Sequence, residues 1–229
     1  MEIADGVHTL PLTFERDDRE LTLHPAAVET RHGAVLVDAG LPGGHDQLRG
    51  QLDDVGVGLS GVHDLFLTHQ DGDHVGGAPG LLSVDSDSDI DVVAHRTARP
   101  YVEGDRDPAK GDPENAPDPV GVDLAVVDGV RFATRAGPME VIHTPGHTPG
   151  HVSLHLPEAD LLLAADAVVS EAGRLLGPSE RHSADLEAAH ESVARLSELT
   201  IDRVLCYHGG VAEQGSDRLA TIADAELTG

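Results

Sequence analysis

Thr68-His69-Gln70-Asp71-Gly72-Asp73-His74-Val75-Gly76-Gly77 is the stretch that decides how this chain is read. Four potential metal ligands, His69, Asp71, Asp73 and His74, fall within six residues. They follow directly on Leu65-Phe66-Leu67, an apolar run that predicts a buried strand. A strand end presents side chains rigidly, and Gly72 lets the backbone turn so that they converge. Imidazole and carboxylate are donors suited to zinc, iron or manganese. A solvated acidic loop is the competing reading, because the chain holds 26 aspartates.

Four more segments repeat the arrangement. Asp38 follows Val35-Leu36-Val37, and Asp166 ends the apolar run Leu161 to Ala165, where an unpaired carboxylate would be costly. His147 sits in the turn Thr144-Pro145-Gly146, and His208 follows Val204 to Tyr207 and precedes two glycines. Each alone is a weak signal, since a histidine after a strand is more often structural. Together they place five polar groups at the ends of apolar runs, as one sheet edge assembling a single site would. His143 and His151, which flank His147, read as structural or surface residues. Cys206, the only cysteine, reads as a small buried hydrophobe.

Outward from these motifs the chain is strand-rich. Strands are expected over Val7 to Phe14, Leu21 to Glu29, Ala34 to Val37, Asp91 to Ala94, Leu124 to Val127, Val130 to Ala133, Met139 to Ile142 and Val152 to Leu156. Helices are expected over 45–54, starting within 75–82, over 184–199 with Ser183 as N-cap, and over Leu219 to Leu227. On the third of these, Leu186, Ala189, Val193 and Leu196 form one apolar stripe. Helices follow groups of strands rather than alternating with them, which predicts two sheets with outer helices. Residues 103–123, with four prolines and three glycines, read as a long surface loop or lid preceded by Tyr101 as a candidate substrate contact. Substrate specificity is expected in segments 41–46, 96–122 and 170–182.

The charge has a separate reading. The 229 residues carry a formal charge of -26, with one lysine against 14 arginines and 2% aromatics. Such a charge destabilises a compact chain by self-repulsion, and about 1 M salt screens it to about 3 Å. The composition resembles that of proteins from salt-accumulating halophiles, so the acidity says little about a partner. No basic patch marks a nucleic-acid site, no apolar run is long enough for a membrane span, and the first residues lack a signal-peptide pattern. A cytoplasmic location is the default expectation, and oligomeric state is unreadable.

In their order, and over essentially the whole chain, the Asp38, His69–His74, His147, Asp166 and His208 segments resemble the metallo-β-lactamase superfamily of hydrolases. The resemblance implies an α+β fold, the αββα four-layer sandwich, as a single domain over 1–229. It implies two divalent metal ions at one sheet edge, zinc first, with manganese or iron as alternatives. His69 and His147 would bind the first ion, Asp73, His74 and His208 the second, and Asp166 both, with Asp38 orienting a ligand histidine. One position departs from the family: Asp71 stands where a histidine is usual. It is retained as a first-ion ligand; the alternative is a weakened first site with only the second filled. The implied chemistry is attack of a metal-activated hydroxide on a small-molecule ester, lactone or thioester, with Asp73 orienting it and shuttling its proton. The alternatives are a mononuclear iron persulfide dioxygenase, a nuclease, and a metal-binding protein without activity. Glutathione-thioester hydrolases of the family carry a C-terminal helical extension, and only 21 residues follow His208, which disfavours that assignment.

Overall fold

The computed structural model describes residues 1–16, 19–84 and 90–225. Seven strands form the first sheet: Glu2–Ala4, Val7–Thr9, Ala26–Glu29, Ala34–Val37, Val62–Leu67, Asp91–His95 and Leu124–Val126, each beside the next. The first four pair antiparallel, and from Ala34–Val37 onward the pairing is parallel. Six strands form the second sheet, again in chain order: Arg131–Thr134, Gly137–His143, Val152–Leu156, Leu161–Ala165, Arg203–Cys206 and Gly210–Ala212. There the one parallel pair is Leu161–Ala165 with Arg203–Cys206.

The central strands are apolar because both of their faces are covered. In Ala34–Val37, Val35 and Val37 join the cluster between the sheets, while Leu36 joins the cluster beneath the helices. Phe66 faces inward and Leu65 and Leu67 outward; on the second sheet Leu205 faces inward and Val204 and Cys206 outward. This period of two fixes the strand faces. Phe66 meets Phe132 edge-on across the sandwich at 5.8 Å. Helices His45–Asp54 and Ala78–Val84 cover the first sheet with Leu48, Leu52 and Leu81. Helices Leu186–Ser197 and Ser216–Ala223 cover the second with Val193, Leu196, Leu219 and Ile222. The four layers are therefore helix, sheet, sheet, helix, as expected.

Some boundaries differ from expectation. The first two expected strands are four, because Val7–Thr9 and Ala26–Glu29 belong to the sheet whereas Leu12–Arg16 and Arg19–Leu23 pair as a separate hairpin. The N-cap of Leu186–Ser197 is Asp185, not Ser183; its carboxylate accepts from the Ala188 amide at 3.0 Å. Ser192 replaces Leu186 on the buried face of that helix. The helix expected to start within 75–82 is two short ones, Gly72–Val75 and Ala78–Val84. The last helix ends at Ala223, and residues 226 and 227 of the expected helix lie outside the described ones. Among the described residues no helix is long and apolar enough to cross a membrane.

Candidate metal centre

Parallel neighbours bring the first group of side chains together. Ala34–Val37 and Val62–Leu67 end side by side, so Asp38 and Thr68 leave the sheet at one edge. The Asp38 backbone is left-handed, at φ 63°, a conformation that aspartate tolerates better than most residues. Its carboxylate accepts from the Thr68 amide and hydroxyl, each at 2.8 Å, and binds His74 Nδ1, also at 2.8 Å. The Nδ1 proton is thereby fixed, and Nε2 is the nitrogen turned toward Asp166 and the one a metal would take on losing its proton. The chain extends through Asp71 and turns into the helix Gly72–Val75, which is anchored by the Ala39 amide on His74 O at 2.8 Å. Tyr207 stacks on the His74 ring at 3.7 Å and donates its hydroxyl to Asp73 O.

The second sheet supplies the other group. Gly146, at φ 132°, packs on the helix Leu186–Ser197 so closely that a Cβ there would lie 2.2 Å from Ala189 N. Ser192 Oγ donates to Pro145 O at 2.6 Å, so the turn that carries His147 is pinned to that helix. Asp166 follows Leu161–Ala165, and its amide donates to His151 Nε2 at 3.0 Å. His151 is fully buried and holds Thr144 with its other nitrogen, which makes it a structural support for both turns. His208 follows Arg203–Cys206 and is locked by the Ser170 amide on its carbonyl. Next to it Gly209, at φ 93°, lies so near Ser170 O that no side chain fits.

These side chains converge. His69, Asp71 and His147 can direct one atom each to within 4.8 Å of one another; so can His69, His74 and Asp166, and so can Asp73, His74 and His208. Asp166 reaches His74 Nε2 at 3.4 Å, His147 Nε2 at 3.3 Å and His208 Nε2 at 3.4 Å. Asp73 pairs with His208 at 3.2 Å. Burial holds His69 down at about 4, reinforced by the nearby His74 charge, so His69 is neutral. Burial opposes ionisation of Asp166 and of His74, but the charge of His74 on the first, and those of Asp38 and then Asp166 on the second, outweigh it. Asp166 lies well below the usual carboxylate range, helped by His208, and His74 well above the usual histidine range. His208, though disfavoured by burial, is raised to about 9 by Asp166 and Asp73. His69 Nε2, His74 Nε2 and Asp166 Oδ1 are buried without a hydrogen-bond partner. Buried polar atoms are rarely left unpaired, and three in one spot fit a bound cation.

One residue was missed in the sequence. Lys110, the only lysine, reaches in from the 103–123 segment. Its Nζ lies 2.8 Å from Asp71 Oδ2, 2.6 Å from His147 Nε2 and 3.0 Å from His182 O. Its rarity beside 14 arginines was the available signal. Tyr101 does not line the cavity; the Arg106 guanidinium lies over its ring at 5.7 Å.

The cluster floors a cavity of about 930 Å³. Of the segments expected to shape specificity, 96–122 contributes Pro108, Lys110 and Pro117, and 170–182 contributes Leu176, Arg181 and His182. Segment 41–46 contributes nothing, because Gly40 and Gly44 pack against Phe14 of the hairpin. The hairpin's Leu21 reaches the cavity instead.

A sequence profile described as the Metallo-beta-lactamase superfamily matches residues 26–208, from the third strand of the first sheet to the last histidine of the cluster. The chain belongs to that superfamily. It is a hydrolase of a metal-dependent family, and its fold is the family's. It is similar to "Probable metallo-hydrolase YflN" of Bacillus subtilis, 29% identical over 204 residues, covering 78% of this chain and 76% of that one. It also resembles a hydroxyacylglutathione hydrolase of Rhizobium meliloti, 35% identical over 106 residues, covering 46% of this chain and only 39% of the relative. Among solved structures, a metallo-beta-lactamase from Pontibacter korlensis superposes with a TM-score of 0.75 at 19% identity, covering 99% of this chain and 98% of that one. At that identity the likeness speaks for the fold alone.

Proposed function

We propose that this superfamily member is a binuclear metal-dependent hydrolase of a small ester, lactone or thioester, working as a single domain. The observation that carries the reading is the set of unpartnered buried atoms on His69, His74 and Asp166 at the floor of an open cavity. His69, Asp71 and His147 would hold one ion, Asp73, His74 and His208 the other, and Asp166 would reach both. Zinc suits the imidazole-rich set best, with manganese or iron as alternatives given the oxygen of Asp71. Divalent ions bound there supply Lewis acidity and lower the pKa of coordinated water.

The chain's own groups do the rest. Asp38 keeps the proton of His74 on Nδ1. Asp73, although burial raises its pKa, is lowered overall by the His208 hydrogen bond and the His74 charge. It is thus ionised at neutral pH, able to orient an attacking water, take its proton at Oδ2 and pass it to the leaving group. The cavity walls from 96–122 and 170–182 would face the substrate around its acyl group. The hydroxyacylglutathione hydrolases among the relatives support thioesters within this class.

The test is a panel of short-chain aryl esters, γ- and δ-lactones and acyl-glutathione thioesters. Protein loaded with zinc, manganese or iron is assayed, with metal per chain measured in parallel. Hydrolysis that disappears with a chelator and returns with metal is the expected result. Sulfite release from glutathione persulfide by a one-iron protein, with an inactive panel, would refute it. We also propose that the acidic composition is an adaptation to high salt.

A further inference from the structure

We propose that Lys110 is a tethered cation occupying the first ion's position, and that the first ion binds only by displacing it. The inference rests on the binuclear reading above. An ammonium has three donors and no acceptor. Here it bonds to Asp71 Oδ2 at 2.8 Å and the His182 carbonyl at 3.0 Å, and it presses against the His147 ring, 2.6 Å from Nε2 and 3.2 Å from Nδ1. Two of these, Asp71 Oδ2 and His147 Nε2, belong to the very group of atoms that would hold the first ion. With Nζ against the ring face, His147 Nε2 keeps its contact with Asp71 at 3.1 Å, and the ammonium's charge lies 2.6 Å from the atom the ion would need.

The departure at Asp71 explains why a lysine is useful. A third imidazole would be neutral without an ion, whereas a carboxylate leaves a negative charge in a half-buried pocket. Lys110 compensates it. A lysine suits the task better than an arginine, because a compact point charge on a long stem resembles a metal ion more than a planar fork does. Among the described residues the second group, Asp73, His74 and His208, has no such occupant; Lys110 touches none of its atoms. The two ions are therefore inequivalent: the second site fills freely and the first fills against a competitor. The competitor's stem belongs to the 103–123 segment that walls the cavity, so its departure loosens that wall.

Metal-free wild type and Lys110→Met are titrated with zinc in high salt against a chromophoric chelator. Wild type takes up one equivalent tightly and a second more weakly. In Lys110→Met the weaker equivalent tightens by about tenfold or more, the equivalent of about 1.4 kcal/mol, while the tighter one is unchanged. Lys110→Arg retains most of the wild-type weakness. Trypsin cleavage after Arg106 speaks to the wall: in wild type the second equivalent of zinc accelerates it, and in Lys110→Met it is fast from the start. Two ions bound with the same affinities in wild type and Lys110→Met would overturn the role of Lys110 and leave the binuclear reading standing. One ion per chain in both proteins at saturating zinc would overturn the binuclear reading and displacement with it.

Discussion

Asp38→Asn isolates one atom of the centre. The residue is 1% exposed and held at φ 63°. Asparagine tolerates this backbone as well as aspartate does, so the fold has no reason to shift. Its amide oxygen replaces Oδ1 and still accepts from the Thr68 amide at 2.8 Å. The change falls on Oδ2, which becomes an NH₂ facing His74 Nδ1 and the Thr68 hydroxyl, both at 2.8 Å. A donor there asks Nδ1 to become the acceptor, which moves the ring proton to Nε2, the atom turned toward Asp166. A protonated Nε2 cannot bind metal. Losing the partner that orients a ligand histidine typically costs about 10- to 100-fold in metal affinity, or about 1.4–2.7 kcal/mol. The metal-free protein also loses a buried charge-assisted hydrogen bond worth about 1.5–3 kcal/mol. Chelator competition reads the first quantity, and denaturant unfolding of metal-free protein in high salt reads the second. The expected signature is a loss in both with far-UV circular dichroism unchanged. Wild-type metal affinity in Asp38→Asn would refute the proposed control of the His74 proton.

Other perturbations have equally definite outcomes. Asp71→Ala should lose one of the two metal equivalents; unchanged metal content would remove Asp71 from the ligand set. In the metal-free protein His208 is raised to about 9, above the roughly 6.5 of an unfolded histidine. Its pairing with Asp73 and Asp166 therefore stabilises fully below about pH 6.5 and fades as the pH rises through about 9. The stability gap between wild type and His208→Gln, followed by urea unfolding, should accordingly be largest near pH 6 and close by pH 10; a gap independent of pH would contradict the pairing. Gly146→Ala should cost about 3 kcal/mol or more, since its Cβ would strike the Ala189 backbone in an already left-handed turn; a melting temperature within about 2 °C of wild type would contradict that packing. The near-UV circular dichroism signal should fade below about 0.1 M KCl and be retained at about 3 M; equal signals would sink the salt adaptation.

The layers were legible because period-two runs such as Val35-Leu36-Val37 are apolar on both faces, which only a sandwiched strand requires. The cluster was legible because each of its members ends such a run. What escaped depended on distant chain segments. Leu12–Arg16 and Arg19–Leu23 have strand composition, but nothing local says that they leave the sheet at His24-Pro25 to form their own hairpin. Asp185 and Ser183 are both good caps, and the Gly146 carbonyl, which the Asp185 amide meets at 2.9 Å, fixes where the helix begins. Lys110 lies in a segment without periodicity, 39 residues along the chain from Asp71, so only the folded chain reveals the pair.

The sheets divide the chain at a single crossing: residues up to Val126 build one, and residues from Arg131 build the other. Every candidate ligand group nevertheless draws from both, pairing His69 and Asp71 with His147, His69 and His74 with Asp166, and Asp73 and His74 with His208. Neither half owns a complete chelate. Two polypeptides severed within 127–130 would thus be complementing fragments, joined first by their shared apolar interface and then riveted by the ions. For such a pair, dissolved metal would act as the glue of reassembly, and a chelator as the solvent that parts it.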